Sequence, residues 1–422
     1  MVSPDVFKFH LFPLLDWKTK ANLRAVSPFI CQLVDQSKIS LFLRAPSSHG
    51  ESDENILSSL LQKYRHIRTC GFSGFTAAHE KALADLSFEL QASSFQNLTS
   101  LNFSNMHLEN VQTVFLQRIS SQNILEITYV QTNGLVKKDT VSKELATLFN
   151  TNQNLETLNL EITCHQDAPF IPFSFCKNLK ELIHNGSDEV KAETLESLAQ
   201  CEKLEKVSFK KENSKTALNL KKFFTKEIAK KITHLEIALK GKSPTPPCCL
   251  NHHKLSNLQF LNIHQYALSD SELLKIADTS IHLKIIILDV RLISENAFAE
   301  FTLKLPHLEK LSLECKREAS YFLQHAAKCA WLFALKLKGG FFTVLSLTDF
   351  VQDHKDLKYL NIKNIQTNFN EKEYAIFLSS CNLLNFLCVE KMSVKEDKKK
   401  KSYSFSRPDP FPKKAFHTSY QK

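Results

Sequence analysis

Residues 308–313 read LEKLSL and residues 357–362 read LKYLNI, and this spacing of apolar residues decides the fold. Thirteen segments close to the pattern apolar-x-x-apolar-x-apolar recur along the chain, at intervals between 24 and 31 residues. Their starting residues are Ile67, Leu98, Ile124, Leu155, Leu179, Leu204, Ile232, Leu258, Leu283, Leu308, Leu332, Leu357 and Leu384. In most copies the second and third apolar residues flank a polar one, which predicts a short strand that is buried on one side.

Between these strands the apolar residues recur at helical spacing. Leu145, Leu148 and Phe149, for example, are three and four residues apart, as on one face of a helix. The segment Ser269 to Glu272 matches a capping box at a helix start. One strand and one helix cannot bury their own apolar faces, so units of this length are predicted to stack in an array.

These repeats resemble the leucine-rich-repeat family, in its longer helix-containing form. The resemblance implies an α/β solenoid over residues 56–392, with about 13 repeats. Its expected shape is a horseshoe with parallel strands on the concave face and helices on the convex face. In such an array the concave sheet is the expected surface for binding another protein.

Residues 1–44 do not follow the repeat and carry apolar residues at helical spacing. The order Pro4-Asp5, Leu11-Phe12, Leu15-Asp16-Trp17-Lys18, Asn22-Leu23 and Val26-Ser27 resembles an F-box. That resemblance implies docking on a Skp-type adaptor of a cullin–RING ubiquitin ligase. The adaptor-binding residues would be Pro4, Leu11, Phe12, Leu15, Leu23 and Val26. The alternative is a plain helical cap that shields the first repeat from water.

Two polar segments complete the predicted domain organisation. Residues 45–55 are predicted as a linker and residues 393–422 as a basic, disordered tail. From Lys391 onwards there are ten Lys and Arg against three acidic residues, which is +7 of the total net charge of +10. The other 390 residues carry only +3, so the sequence predicts no nucleic-acid partner.

The residues that could carry chemistry do not assemble into a recognisable site. Cys248, Cys249, His252 and His253 lie too close together to surround zinc easily, and an inter-repeat loop is the better interpretation. The eleven cysteines form no disulfide framework, which favours a reducing compartment. We therefore predict no catalytic residue, no metal and no cofactor, and no run of residues long enough to span a membrane.

The outward positions of the later strands are the predicted partner-binding surface. We expect exposed aromatic rings beside lysines there, which suits an acidic and partly apolar protein surface. The predicted residues are Phe260, His264, Lys310, Lys336, Lys338, Tyr359, Lys363 and Phe386.

Two functions follow from this organisation, and neither is enzymatic. The first is a substrate receptor of a cullin–RING ligase, whose partners are the Skp-type adaptor, the cullin and an unidentified target protein. The second is a repeat scaffold or inhibitor whose N-terminal helices only cap the solenoid. A cytoplasmic location is expected, in a host cell if the chain is a bacterial effector, with the nucleus as another option.

Overall fold

A computed structural model describes most of the repeat region of the chain. The described residues are 39–44, 67–73, 98–104, 124–132, 138–163, 169–186, 190–211, 223–239, 255–290, 292–367, 371–396 and 399–406. The chain forms two compact units, Met1–Leu204 and Glu205–Lys422. The predicted adaptor-binding residues, the predicted linker and the Cys248–His253 cluster lie outside the described residues.

The N-terminal unit, Met1–Leu204, contains strands that pair in parallel and in chain order. Its strands are β1 (Ile39–Arg44), β2 (Ile67–Ser73), β3 (Ser100–Ser104), β4 (Glu126–Gln131), β5 (Thr157–Ile162) and β6 (Glu181–Gly186). The helices described here are α1 (Lys138–Thr151) and α2 (Ala192–Leu198), with a 3-10 turn at Phe173–Phe175. Parallel pairing requires a crossover between consecutive strands, and these helices lie in such crossovers.

The C-terminal unit, Glu205–Lys422, repeats the same strand–helix alternation. Its strands are β7 (Lys206–Lys211), β8 (His234–Leu239), β9 (Phe260–Ala267), β10 (Ile285–Asp289), β11 (Lys310–Glu318), β12 (Ala334–Phe342), β13 (Tyr359–Lys363), β14 (Gln366–Thr367), β15 (Phe386–Glu396) and β16 (Lys399–Ser406). Its described helices are α3 (Lys226–Lys231), α4 (Asp270–Thr279), α5 (Glu295–Leu303), α6 (Ser320–Ala326), α7 (Val344–Asp353) and α8 (Glu371–Ser380).

Pairing in the C-terminal unit is parallel from β7 through β13 and on to β15. The short strand β14 pairs with the ends of β12 and β15, and β16 runs antiparallel to β15. A parallel sheet whose strands follow chain order is what a repeat array produces, because each unit adds one strand beside the last.

All thirteen predicted strands are present, and the described residues contain three further strands that were not predicted. The sheet begins with β1, inside the region interpreted as a helical module. Strand β15 continues to Glu396, beyond the predicted end of the repeats at residue 392. Strand β16 lies within the segment interpreted as the basic tail.

The interior of the C-terminal unit is a ladder of aliphatic side chains that stack from strand to strand. Leu261, Ile286, Leu311, Leu335 and Leu360 are in register and are each 0% exposed. Complete burial of one such side chain stabilises the fold by about 1.5–3 kcal/mol. The ladder therefore supplies the main driving force for stacking, and it explains why the apolar spacing recurs so strictly.

A backbone feature fixes how far each repeat is offset from the next. In the C-terminal unit the carbonyl oxygen just before each strand from β7 to β13 accepts two amides from the following repeat. The oxygen of Gln259 accepts from Lys284 N at 2.9 Å and Ile285 N at 3.0 Å, and that of Lys284 accepts from Glu309 N and Lys310 N. Because the same oxygen serves in each of these repeats, their strands start level and their side chains align in rows.

Side chains at the helix starts add further links between repeats. The predicted capping box is confirmed, since Glu272 accepts the backbone N–H of Ser269 at 2.8 Å. Asp270 accepts the N–H of Ser294 in the next repeat at 2.8 Å. Ser320 in turn accepts the N–H of Thr343 at 3.0 Å. These bonds satisfy amides around the helix starts and hold neighbouring helices together.

Gly339 in β12 gives a test of the stacking distance. Its φ is +70°, and a Cβ atom there would lie 2.5 Å from the carbonyl oxygen of Cys315 in the neighbouring strand. We expect Gly339→Ala to lower the free energy of unfolding by about 2 kcal/mol or more. Urea denaturation followed by circular dichroism measures this loss.

Gly186→Ala is the matched control, because a Cβ atom at Gly186 meets its nearest neighbour, the Ile162 oxygen, at 3.0 Å. The backbone at Gly186 does not have a positive φ. We expect a smaller loss there. Equal losses at the two glycines would contradict the close approach at Gly339.

Candidate sheet-face binding site

The outward face of the sheet in the C-terminal unit carries side chains in three rows. We call residues 260, 285, 310, 334, 359 and 386 the first row, which the strand register places side by side. The middle row is 262, 287, 312, 336, 361 and 388. The third row includes 314, 338 and 363. Rows lie two residues apart along a strand, or about 6.6 Å.

The first row is aromatic toward the end of the array. Tyr359 and Phe386 stack with ring centroids 4.3 Å apart, beside Ala334, and Phe333 packs against this group. Lys310 Nζ lies 5.4 Å from the centroid of the Phe333 ring, within the range of a cation–π contact. We call Phe333, Ala334, Tyr359 and Phe386 the aromatic cluster.

The expectation of exposed aromatic rings is wrong for three of the predicted residues. Phe260, Tyr359 and Phe386 are 8%, 9% and 8% exposed. Neighbouring strands in a sheet are only about 4.8 Å apart, so rings in register cover one another. Phe260 stacks in the same way on His234, at 5.6 Å. The ring faces of the aromatic cluster are therefore covered by neighbouring rings rather than exposed beside the lysines.

Three of the predicted lysines lie together in the middle and third rows. Lys338 pairs with Lys363 in the strand register, and Lys336 is two residues before Lys338 on the same face. Lys338 Nζ forms an ion pair with Glu314 Oε2 at 3.1 Å. We call Lys336, Lys338 and Lys363 the lysine cluster.

Lys336 differs from Lys338 because it forms no ion pair with a described residue. No described acceptor lies within hydrogen-bonding distance of its ammonium group. Burial lowers the pKa of Lys336, and the charges of Lys363 and Lys338 lower it further, while Glu314 acts in the opposite direction. A half-buried cation that lies near two like charges lowers the stability of the folded state.

Asn361, directly beside Lys336 in the register, also has an unsatisfied group. Its side chain is 8% exposed and its Nδ2 donates to the Tyr359 hydroxyl oxygen at 3.4 Å. Its Oδ1 is buried and has no partner among the described residues. The Oδ1 of Asn262, in the same row, is also buried without a described partner, so this feature is not specific to the lysine cluster.

Toward the start of the unit the carboxylate of Glu236 on the same face has its donors, although the Oδ1 of Asn262 is buried without a described partner. Glu236 Oε1 accepts from Asn262 Nδ2 at 2.7 Å, and its Oε2 accepts from the Ser208 hydroxyl at 2.6 Å. Lys210 Nζ lies 3.1 Å from the same Oε2. This carboxylate already accepts hydrogen bonds from its neighbours. The lysine cluster is therefore the part of the face that attracts an external anion more strongly.

The structure brings most of the predicted partner-binding residues onto one face and omits one. Lys310, Lys336, Lys338, Tyr359 and Lys363 lie on three adjacent strands, β11 to β13. Phe386 follows on β15, and Phe260 lies on β9. His264 is in β9, but its side chain is outside the described part of the chain.

Sequence reasoning missed Phe333 and the neighbouring Trp331. Phe333 contributes to the aromatic cluster, and Trp331 is 66% exposed just before the strand. Both are apolar at positions where the repeat pattern does not call for an apolar residue. That departure from the pattern is the signal that could have found them.

The described cysteines are poorly suited to nucleophilic chemistry. Burial raises the pKa of Cys70, Cys201 and Cys329 to about 12, and raises the pKa of Cys315 as well. The reactive form of cysteine is the thiolate, which such groups scarcely populate at neutral pH. Within the described residues, no group of three or more His, Cys, Asp or Glu side chains is placed to hold a metal ion.

The repeated strand–helix unit and the in-register ladder define an α/β leucine-rich-repeat solenoid, as the sequence predicts. No protein-family model and no curated protein matches the chain. None of the helices described has both the length and the apolar character needed to cross a bilayer.

Several solved structures are similar to this chain. An internalin, inlF, from Listeria monocytogenes has 15% identity and a TM-score of 0.46, covering 87% of this chain and 94% of that one. TLR13 in its complex with ssRNA13 has 13% identity and a TM-score of 0.43, covering 80% of this chain. The Drosophila Toll–Spatzle complex has 10% identity and a TM-score of 0.36, covering 79% of this chain. This chain spans 60% and 53% of the last two, and these similarities carry no inference about binding.

The effect of the Lys336 charge on the stability of the fold can be measured directly. Because the folded pKa of Lys336 is lowered, its charge opposes folding at neutral pH, and stability is lost as pH falls through the folded pKa. Replacing the lysine with methionine keeps the stem and removes the charge. We expect Lys336→Met to raise the melting temperature at pH 7, measured by differential scanning fluorimetry.

Lys275→Met is the control, since Lys275 is exposed on α4. It should leave the melting temperature nearly unchanged. A lower melting temperature for Lys336→Met would mean that Lys336 stabilises the fold instead.

Proposed function

We propose that this chain is a non-catalytic binding protein that holds a target protein on the outward sheet face of its C-terminal unit. One observation carries the proposal. The interior ladder is completely buried, whereas the outward face combines the aromatic cluster with the lysine cluster. Residues that serve only to hold repeats together have no need of a half-buried cation without an ion pair, and retaining a destabilising group is typical of a functional surface.

The finer proposal is that the chain is the substrate receptor of a cullin–RING ubiquitin ligase. The F-box-like order from Pro4 to Val26 would bind the Skp-type adaptor, and the sheet face would position the target for ubiquitin transfer carried out elsewhere in the complex. Support comes from the order of those residues in the sequence and from their position before a repeat array. Such a complex would operate in the cytoplasm, including that of a host cell if the chain is an injected effector.

The other candidate is a repeat scaffold or inhibitor whose N-terminal residues only cap the array. It shares the binding face and lacks the adaptor. The two proposals therefore differ in what residues 1–44 bind, and they can be separated without knowing the target.

The adaptor is tested by co-precipitation from cells that express the tagged full chain. We expect the Skp-type adaptor and the cullin to co-precipitate, and both to be lost in Leu11→Ala/Phe12→Ala, because these side chains would supply apolar contact area. The double variant must keep the circular dichroism spectrum of the parent chain. A folded parent chain that never captures the adaptor would exclude the ligase and leave the scaffold.

The sheet face is tested by a separate double variant, Tyr359→Ala/Lys338→Glu. It removes a ring of the aromatic cluster and reverses one charge of the lysine cluster, so capture of the target should fall at least about tenfold. Quantitative mass spectrometry of co-purified proteins measures this. Lys275→Glu, a charge reversal on the helix side, should change nothing, and equal capture by both variants would place the target elsewhere.

A further inference from the structure

The lysine cluster defines what kind of group the sheet face accepts. Lys336 offers an ammonium group with no described acceptor, and Lys338 and Lys363 add positive charge around it. All three lysine side chains are donors only. The site is therefore short of an acceptor that carries negative charge.

The amide of Asn361, beside Lys336, is not itself exposed to a ligand. If the amide turns by half a rotation about its Cβ–Cγ bond, Oδ1 faces the Tyr359 hydroxyl, which can donate to it. The present contact between Asn361 Nδ2 and that hydroxyl is long, at 3.4 Å. In either orientation one amide atom occupies a position that is buried from solvent. An incoming anion therefore meets the lysines, which lie on two adjacent strands, β12 and β13.

A single carboxylate suits this cluster better than a polyanion. Glu314 is held in the third row by Lys338 at 3.1 Å, and its charge repels a continuous phosphate backbone. Proteins that bind single-stranded nucleic acids stack bases on exposed rings. Tyr359 and Phe386 instead stack on each other and are almost completely buried.

The aromatic cluster adds a second requirement, which is apolar. The first row lies two residues from the middle row along each strand, about 6.6 Å. An extended peptide that runs along the strands repeats at the same spacing, so its residues i and i+2 can reach both rows. Phe333, which is only partly buried beside Lys310, offers the apolar contact.

We propose that the target is held through an acidic peptide segment. Its Asp or Glu carboxylate binds at the lysine cluster beside Asn361, and a nearby apolar side chain contacts Phe333, the partly buried member of the aromatic cluster. This deepens the proposed binding function and rests on it. Lys336 supplies the charge that a target carboxylate neutralises, and Phe333 supplies the apolar contact.

The test is a selection of twelve-residue random peptides displayed on phage against the immobilised full chain. Selected sequences should be enriched in Asp or Glu close to a large apolar residue. For a synthetic selected peptide, fluorescence anisotropy should show affinity falling about tenfold in Lys336→Met and falling with added salt. Lys275→Met should bind like the parent chain.

The outcomes separate this inference from the proposed function. Peptides that lose binding in Tyr359→Ala but show no preference for acidic residues would overturn the acidic segment and leave the binding face in place. Peptides that bind Tyr359→Ala and Lys336→Met as well as the parent would overturn both. Poly(U) RNA that binds the parent chain and is lost in Lys336→Met would overturn the acidic segment in favour of a nucleic acid. Failure to select any peptide would also overturn it.

Discussion

Each strand of the array is positioned by the backbone carbonyl that precedes its neighbour. In the C-terminal unit the oxygens of Gln259, Lys284, Glu309, Phe333 and Lys358 each accept two amides from the next repeat. No repeat can satisfy these groups alone or bury its own apolar side chains. The interior ladder supplies the free energy for stacking, and the shared carbonyl sets the register in which the repeats stack.

The register has consequences on the opposite face of the sheet. Since the strands start level, each outward side chain has the corresponding residue of the next repeat about 4.8 Å away. Aromatic rings of neighbouring repeats therefore stack on each other, as Tyr359 and Phe386 do. Lysines of neighbouring repeats likewise lie side by side, as Lys338 and Lys363 do. The same constraint that stabilises the interior concentrates like groups outside. A locally unfavourable cluster can thus persist on a stable scaffold, which is where a binding surface is expected.

The repeats could be predicted from the sequence because the same apolar spacing occurs many times. Thirteen copies of one spacing, with a capping box at Ser269, predicted the strands and a helix start that the structure contains. Strands β1, β14 and β16 were missed because they lack the leading apolar pair of the pattern. Strand β14 depends on the long β12, which passes through Gly339 and Gly340 at positive φ before pairing with it.

The candidate site was only partly predictable, since it depends on exposure and pairing. Alternation placed Lys336, Tyr359 and Phe386 on one face, as the structure has them. Alternation could not indicate that the aromatic rings are buried, because side chains of neighbouring repeats bury them. Nor could it distinguish Lys336, which forms no ion pair with a described residue, from Lys338, which binds Glu314. The net charge also gave no sign of the lysine cluster, because residues 1–390 together carry a charge of only +3.

Lysine labelling of the chain with and without its captured target tests the central claim most directly. Acetylation with a small reagent, read residue by residue by mass spectrometry, reports which lysines the target covers. The binding face predicts protection of Lys310, Lys336, Lys338 and Lys363, with Lys275 on α4 labelled equally in both states. Protection confined to the helix side, with the lysine cluster labelled as in the free chain, would contradict it.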